Sequence, residues 1–338
     1  MPRLALPNTF RAHPTESWLV VLLVLISAGL SFAAPQFFTF ANAFNLLNTS
    51  SVNLIFAVGL VVVLISGGID ISFAVAASVV QYVAATLLIA MGGGDWTIGL
   101  LIAALIGIGL GAINAGLIYF FGIISFVVTI ATFNVFFGLL MFITRGVSIY
   151  ALPGWWTHRT VLVGFQQANG AWAELTLPVL IMAICVVATW ILIRHTTTGR
   201  QLYAFGDNPE GARRLGINIA AMHFIPYCWL GMMAGIGGLA QVHYTQEVVP
   251  NALIGRELDV LAAVVLGGAR LGGGRGTVLG CVLGVFLVSI TQNALNLLGI
   301  SPYAFKMIIG TIILVAITLS SERFTRSLGS LRRGSPSG

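Results

Sequence analysis

Residues 50–91 read SSVNLIFAVGLVVVLISGGIDISFAVAASVVQYVAATLLIAM. The stretch holds two apolar runs, each near the roughly 20 residues that carry a helix across a bilayer. Between them stands Ser66-Gly67-Gly68-Ile69-Asp70-Ile71-Ser72, without which the whole would be one apolar run. Paired glycines end a helix, and Asp70 or Ser72 can accept hydrogen bonds from the first amides of the next one. An acid between two membrane segments is costly and therefore a functional candidate. Helix capping is the simpler role, and capping at a broken helix beside a solute path would satisfy both readings. Unwound backbone is tolerated at depth only where protein buries it or it lines a water-filled cavity.

The rest of the chain repeats the apolar pattern. Of 338 residues, 58% are hydrophobic and 8% charged, with mean hydropathy +0.98; soluble domains carry about 25% charged residues. A soluble protein is excluded. Apolar runs fall at 18–33, 50–66, 71–91, 97–121, 123–143, 175–193, 223–243, 257–268, 276–299 and 303–320. The expected fold is an all-α membrane protein of about ten transmembrane segments, some broken or half-length, with both termini cytoplasmic. In that topology Arg194, Arg200, Arg213, Arg214, Arg270, Arg275, Arg323, Arg326, Arg332 and Arg333 lie inside, against Arg145, Arg159, Arg256 and Lys306 outside. This satisfies the positive-inside rule, so the net charge of +6 reflects topology and not a nucleic-acid partner. The domain layout is a cytoplasmic segment 1–17, one polytopic membrane domain 18–322 with a cytoplasmic loop 194–222, and a basic, disordered tail 323–338. Arg3 and Arg11 before Trp18–Leu30 resemble a secretory signal, but the run is long for one and nothing downstream reads as an exported soluble protein, so a retained first span is expected. Leu258–Gly268 is too short to span, which makes it a half-helix; if it is re-entrant, the topology beyond it inverts.

Within the spans the polar residues stand singly: Gln81, Asn114, Thr129, Thr132, Asn134, Gln241, Gln292, Asn293 and Asn296. They can line a route for a neutral hydroxylated solute, or they can glue helices at about 0.6 kcal/mol per bond. Asp70, Ser72, Asn114, Thr129, Asn134, Gln292 and Asn293 are the candidates for the route. Gly107-xxx-Gly111, Gly231-xxx-Gly235 and Gly276-xxx-Gly280-xxx-Gly284 allow close helix approach. Cys185, Cys228 and Cys281 read as packing residues, and Trp155, Trp156 and Trp172 as interfacial anchors. In the loop, Asn208 can serve as N-cap, Pro209 as first helical residue and Glu210 in the first turn, with Arg213 and Arg214 in the last turn and Gly216 as stop. That predicts a short separate helix, either a connector or a docking element for a soluble subunit.

Three ordered elements resemble the ribose-type permease family of bacterial ATP-binding-cassette importers, with autoinducer-type permeases as near relatives. They are Ser66–Ser72, Thr198–Asn208 followed by Ala212 and Gly216-Ile217, and Glu257–Gly268 followed by Gly273, Gly274 and Gly276. Phe73-Ala74, Ser125, Phe137, Gly211 and Leu215 depart from the family pattern. The resemblance implies a multi-pass inner-membrane subunit that passes a monosaccharide or similar small polar solute by alternating access. It also implies a second permease copy or paralogue, two cytoplasmic ATPase domains docked at Asn208, Pro209, Glu210, Arg213 and Arg214, and a periplasmic sugar-binding protein. No cofactor, metal or catalytic residue is expected in this chain, which lacks a phosphate loop, HExxH and GxSxG. The alternative is a stand-alone secondary carrier or channel using Asp70 as an ion site.

Overall fold

The computed structural model describes residues 14–301 except Ala168, Asn169 and Ala171, together with Ala304, Lys306, Met307, Gly310 and Thr311. Most of the expected span 303–320, the segment 1–13 and the tail 323–338 lie outside the described residues. In chain order the helices are α1 (Pro14–Ala33), α2 (Phe40–Ile65), α3 (Phe73–Ala90), α4 (Trp96–Phe121) and α5 (Ser125–Thr144). After the one-turn α6 (Gly154–Thr157) comes an antiparallel hairpin of β1 (Val161–Gln166) and β2 (Trp172–Thr176). Then follow α7 (Leu177–His195), α8 (Thr197–Asp207), α9 (Pro209–Arg214), α10 (Ile219–Thr245), α11 (Arg256–Leu266) and α12 (Val278–Leu297). Eight of these, α1 to α5, α7, α10 and α12, are long and apolar enough to cross a membrane. With 11 residues, α11 reaches only about 16 Å, the half-length expected of it.

From Leu54 to Ile65 helix α2 is apolar all round because it is the centre of the bundle, with 83% of its membrane window buried. Its start is ten residues earlier than the apolar run at 50 implied. Asn42 and Asn48 masked this segment, yet both are satisfied by neighbours. Asn42 exchanges two hydrogen bonds with Asn293 of α12 (3.1 and 2.9 Å), and the Asn48 amide oxygen accepts from the Thr176 hydroxyl at 2.7 Å.

The glycine runs find partners in one another. A Cβ at Gly107 would run into the Gly231 carbonyl, one at Gly231 into that of Gly107, and one at Gly111 into that of Tyr227, so α4 and α10 cross with their backbones in contact. Gly280 and Gly284 of α12 meet Gly267 and Ala263 of α11 in the same way. Close packing of this kind replaces the hydrophobic drive that lipid does not supply.

Two features of the loops correct the sequence reading. The segment 144–174 contains the β-hairpin, a small exception to an otherwise helical chain, and Trp156 is no interfacial anchor. It is fully buried, stacked on Trp155 at 5.6 Å, with its indole N–H donating to the Leu239 carbonyl at 3.0 Å. The loop 194–222 holds two helices where one was expected, because Thr196 caps α8 by accepting from the Gly199 amide at 3.1 Å.

Candidate functional site

At the end of α2 the Gly67 and Gly68 amides donate to the Leu64 and Val63 carbonyls at 3.0 and 3.1 Å. Gly67 has φ +87°, the left-handed stop that glycine adopts without strain. The chain then crosses to α3 through Ile69–Ser72 under a dense set of hydrogen bonds. One Asp70 carboxylate oxygen, Oδ1, accepts from the Ser72 amide and the Ser72 hydroxyl, each at 2.7 Å. Asn114 Nδ2 donates to Asp70 Oδ2 at 3.2 Å and to Ser72 Oγ at 2.8 Å. The Ile69 amide donates to Ser125 Oγ at 3.0 Å, and the Thr129 hydroxyl donates to the Ile69 carbonyl at 3.3 Å. Asp70, Ser72, Asn114 and Thr129 are all buried. Four of the seven route candidates therefore form one unit that holds the α2–α3 break against α4 and α5.

Beside the break lies a cavity of about 930 Å³. Gly67, Gly68, Ser125 and Tyr227 line it, as do Asn208, Pro209, Glu210 and Arg213. Asp70 does not face it. The last four of those residues belong to the predicted short helix and its cap. The Asn208 side chain accepts from the Gly211 amide at 2.9 Å, Pro209 occupies the first helical position, and Gly216 (φ +75°) stops the helix through the Ile217 amide on the Ala212 carbonyl at 3.1 Å. Glu210 and Arg214 pair at 3.4 Å on the exposed face, an ion pair of little energetic weight. Leu215 stands 80% exposed beside the two arginines, an apolar side chain in a charged surround.

Residues 42–317 match the family described as the branched-chain amino acid transport system permease component. The chain belongs to this permease family. It is 32% identical over 321 residues to the ribose import permease protein RbsC of Escherichia coli (strain K12), covering 93% of this chain and 97% of that one. The galactose/methyl galactoside import permease protein MglC of the same organism is 28% identical over 329 residues, 94% and 98% of the two chains. A probable ABC transporter permease protein, y4mJ, of Sinorhizobium fredii (strain NBRC 101917 / NGR234) is 30% identical over 326 residues, 96% and 92%. No solved structure matches. The permease is thus a multi-pass membrane protein and the translocation subunit of an ATP-binding-cassette importer, in which ATP hydrolysis belongs to a separate subunit.

The remaining candidates of this permease stand apart from the break. Asn134 lies halfway along α5 on its outward face, its amide nitrogen donating to the Ile130 carbonyl at 2.8 Å. Asn293 joins α12 to α2 through Asn42, which is the gluing role, and Gln292 is half-buried on the same helix. Ser125 is the residue of the site that sequence reasoning missed. It registered only as a departure from a proline common in the family, although a hydroxyl at the start of a helix is a signal in itself, since it can accept from a neighbouring free amide as proline cannot.

Proposed function

We propose that this permease conducts a monosaccharide or similar small polar solute across the bacterial inner membrane by alternating access, driven by ATPase domains that dock on α9. In this reading the membrane domain has ten segments and the N-terminus, α8, α9 and the C-terminus are cytoplasmic. Two permease subunits, identical or paralogous, pair in the membrane, and a periplasmic sugar-binding protein delivers the solute. Such a topology puts Arg194, Arg200, Arg213, Arg214, Arg270 and Arg275 on the cytoplasmic side.

The observation that carries the reading is the cavity. Its volume is in the range of small-molecule sites, and it joins the broken α2–α3 backbone to the exposed helix that carries the docking candidates. The sugar class rests on the names of the ribose and galactose relatives. A stand-alone carrier would need a carboxylate free to hold an ion, whereas both oxygens of Asp70 are engaged by Ser72 and Asn114.

The test is reconstitution in proteoliposomes with the ATPase and binding protein encoded beside the permease, followed by uptake of labelled ribose and galactose. ATP- and binding-protein-dependent uptake is expected. Uptake by the permease alone, abolished by Asp70→Asn, would establish the carrier instead.

A further inference from the structure

Three stretches far apart in sequence end on one another's backbones: the last residues of α2 with the turn at Gly67, the final turn of α8 from Tyr203 to Asp207, and the glycine run 272–276 between α11 and α12. The Gly274 amide donates to the Ile65 carbonyl at 2.9 Å. Gly206 lies flat on this bond. A Cβ there would run into the Ile65 carbonyl oxygen and stand 2.7 Å from the Gly274 nitrogen. One at Gly273 would stand 2.8 Å from Gly67 Cα and 2.9 Å from the Gly206 carbonyl carbon. The Tyr203 hydroxyl closes the assembly by donating to the Gly276 carbonyl at 2.6 Å.

Apart from the Tyr203 hydroxyl, the contacts among Ile65, Gly67, Gly206, Gly273 and Gly274 are backbone on backbone, so no side chain between them can rearrange to absorb a displacement. Close-packed groups of this kind pass strain on. On one side the joint runs through Gly67 and Gly68 into the Ile69–Ser72 hydrogen bonds. On the other it runs through Asp207 into Asn208, the cap of α9. Since Gly272–Gly276 also leads into α12, a movement of α9 has one rigid route to both interruptions of the bundle, the α2–α3 break and the end of the half-helix α11.

We propose that Gly206 and Tyr203 are positioning residues for transport, which convert displacement of α9 into movement of the α2–α3 break and of the α11–α12 connection. The inference rests on the docking role of α9 argued above. Tyr203 does not line the cavity and Gly206 offers it no side chain; both act by holding three backbones together.

The experiment compares wild type, Gly206→Ala and Tyr203→Phe as complete importers in proteoliposomes, reading ATPase copurification, ATP hydrolysis, and solute taken up per ATP hydrolysed. Both variants are expected to retain the ATPase and its hydrolysis. Uptake per ATP falls about tenfold in Gly206→Ala, where the joint is forced apart, and roughly fivefold in Tyr203→Phe, the equilibrium worth of one neutral hydrogen bond. Tyr203→Phe is isosteric and decides the matter if Gly206→Ala does not accumulate. An unchanged uptake-to-ATP ratio in Tyr203→Phe overturns the proposal. Loss of the ATPase from that variant does so as well, since Tyr203 would then belong to the docking surface. Wild-type importer without ATP-dependent uptake would instead refute the docking reading, and this inference with it.

Discussion

Replacing Asp70 separates two roles that the same residue could play. Its carboxylate accepts two short hydrogen bonds from Ser72 and a longer one from Asn114, all in a buried setting. Bonds to a charged acceptor contribute about 1.5–3 kcal/mol each, so Asp70→Ala, which strands the Ser72 amide, should cost about 3–6 kcal/mol. Asp70→Asn keeps an oxygen for Ser72 but turns an amide N–H2 toward that of Asn114. Asn114 has a partial remedy, because its own Oδ1 is buried without a partner and can accept once the side-chain amide rotates, at the loss of its bond to Ser72 Oγ. The cost of Asp70→Asn is then about 1–2 kcal/mol, chiefly the loss of charge assistance. Thermal unfolding of the purified protein in detergent should order wild type, Asp70→Asn and Asp70→Ala in steps of roughly 2–4 °C per kcal/mol, with Asp70→Asn/Asn114→Ala falling below the sum of its single changes. Transport by Asp70→Asn should stay within about tenfold of wild type. Abolished transport at unchanged thermal stability would refute this reasoning and make Asp70 an ion site.

Other substitutions test the remaining assignments. Arg213→Glu with Arg214→Glu should leave the permease folded and reduce copurified ATPase by about tenfold or more, since like charges across an interface cost several kcal/mol; normal copurification would count against α9 as the docking element. Gly231→Ala should lower stability by about 1–3 kcal/mol through the α4–α10 crossing, whereas Gly109→Ala, with open space around its Cβ, should not, as thermal unfolding of the two would report. Ser125→Ala should cost about 1 kcal/mol by removing the acceptor of the Ile69 amide, and it should reduce uptake more than it reduces ATP hydrolysis. Trp156→Ala removes a buried indole with a satisfied N–H and should cost about 3–5 kcal/mol in the same unfolding assay.

Much of the bundle was legible because lipid makes the code simple. Apolar length gave the spans, glycine spacing marked the close crossings, and the cap, proline and stop around Asn208–Gly216 specified α9 almost residue by residue. What stayed hidden required knowing which residue faces which. Asn42 and Asn48 lie ahead of the apolar run at 50, and their place in α2 shows only once Asn293 and Thr176 stand against them. Thr129, Asn134 and Gln292 are single polar residues of the same kind in sequence, yet one braces the break, one faces outward and one is half-buried. Helical phase decides among those fates, and the uniformly apolar neighbours of α5 give the phase no sequence mark. Trp156 failed for a related reason: tryptophan suits both a membrane interface and a core, and only a partner for its N–H distinguishes them.

The placement of the break bears on how a subunit without ATP chemistry can respond to a partner that has it. A helix interrupted at Gly67–Ser72 carries backbone groups that must be satisfied without water. Here Asp70 accepts from the Ser72 amide within the break, Ser125 and Thr129 of α5 satisfy the Ile69 amide and carbonyl, and Asn114 of α4 holds the Asp70 and Ser72 side chains. Every one of those bonds is made by a side chain, which can re-pair after a small shift. On the other side of the break the Gly274 amide bonds the Ile65 carbonyl with Gly206 packed against both, and these backbone contacts cannot re-pair in that way. The break is therefore held by side chains on its α4–α5 side and by direct backbone contact on its α8 side, where Gly67, Gly206 and Gly272 also line the cavity.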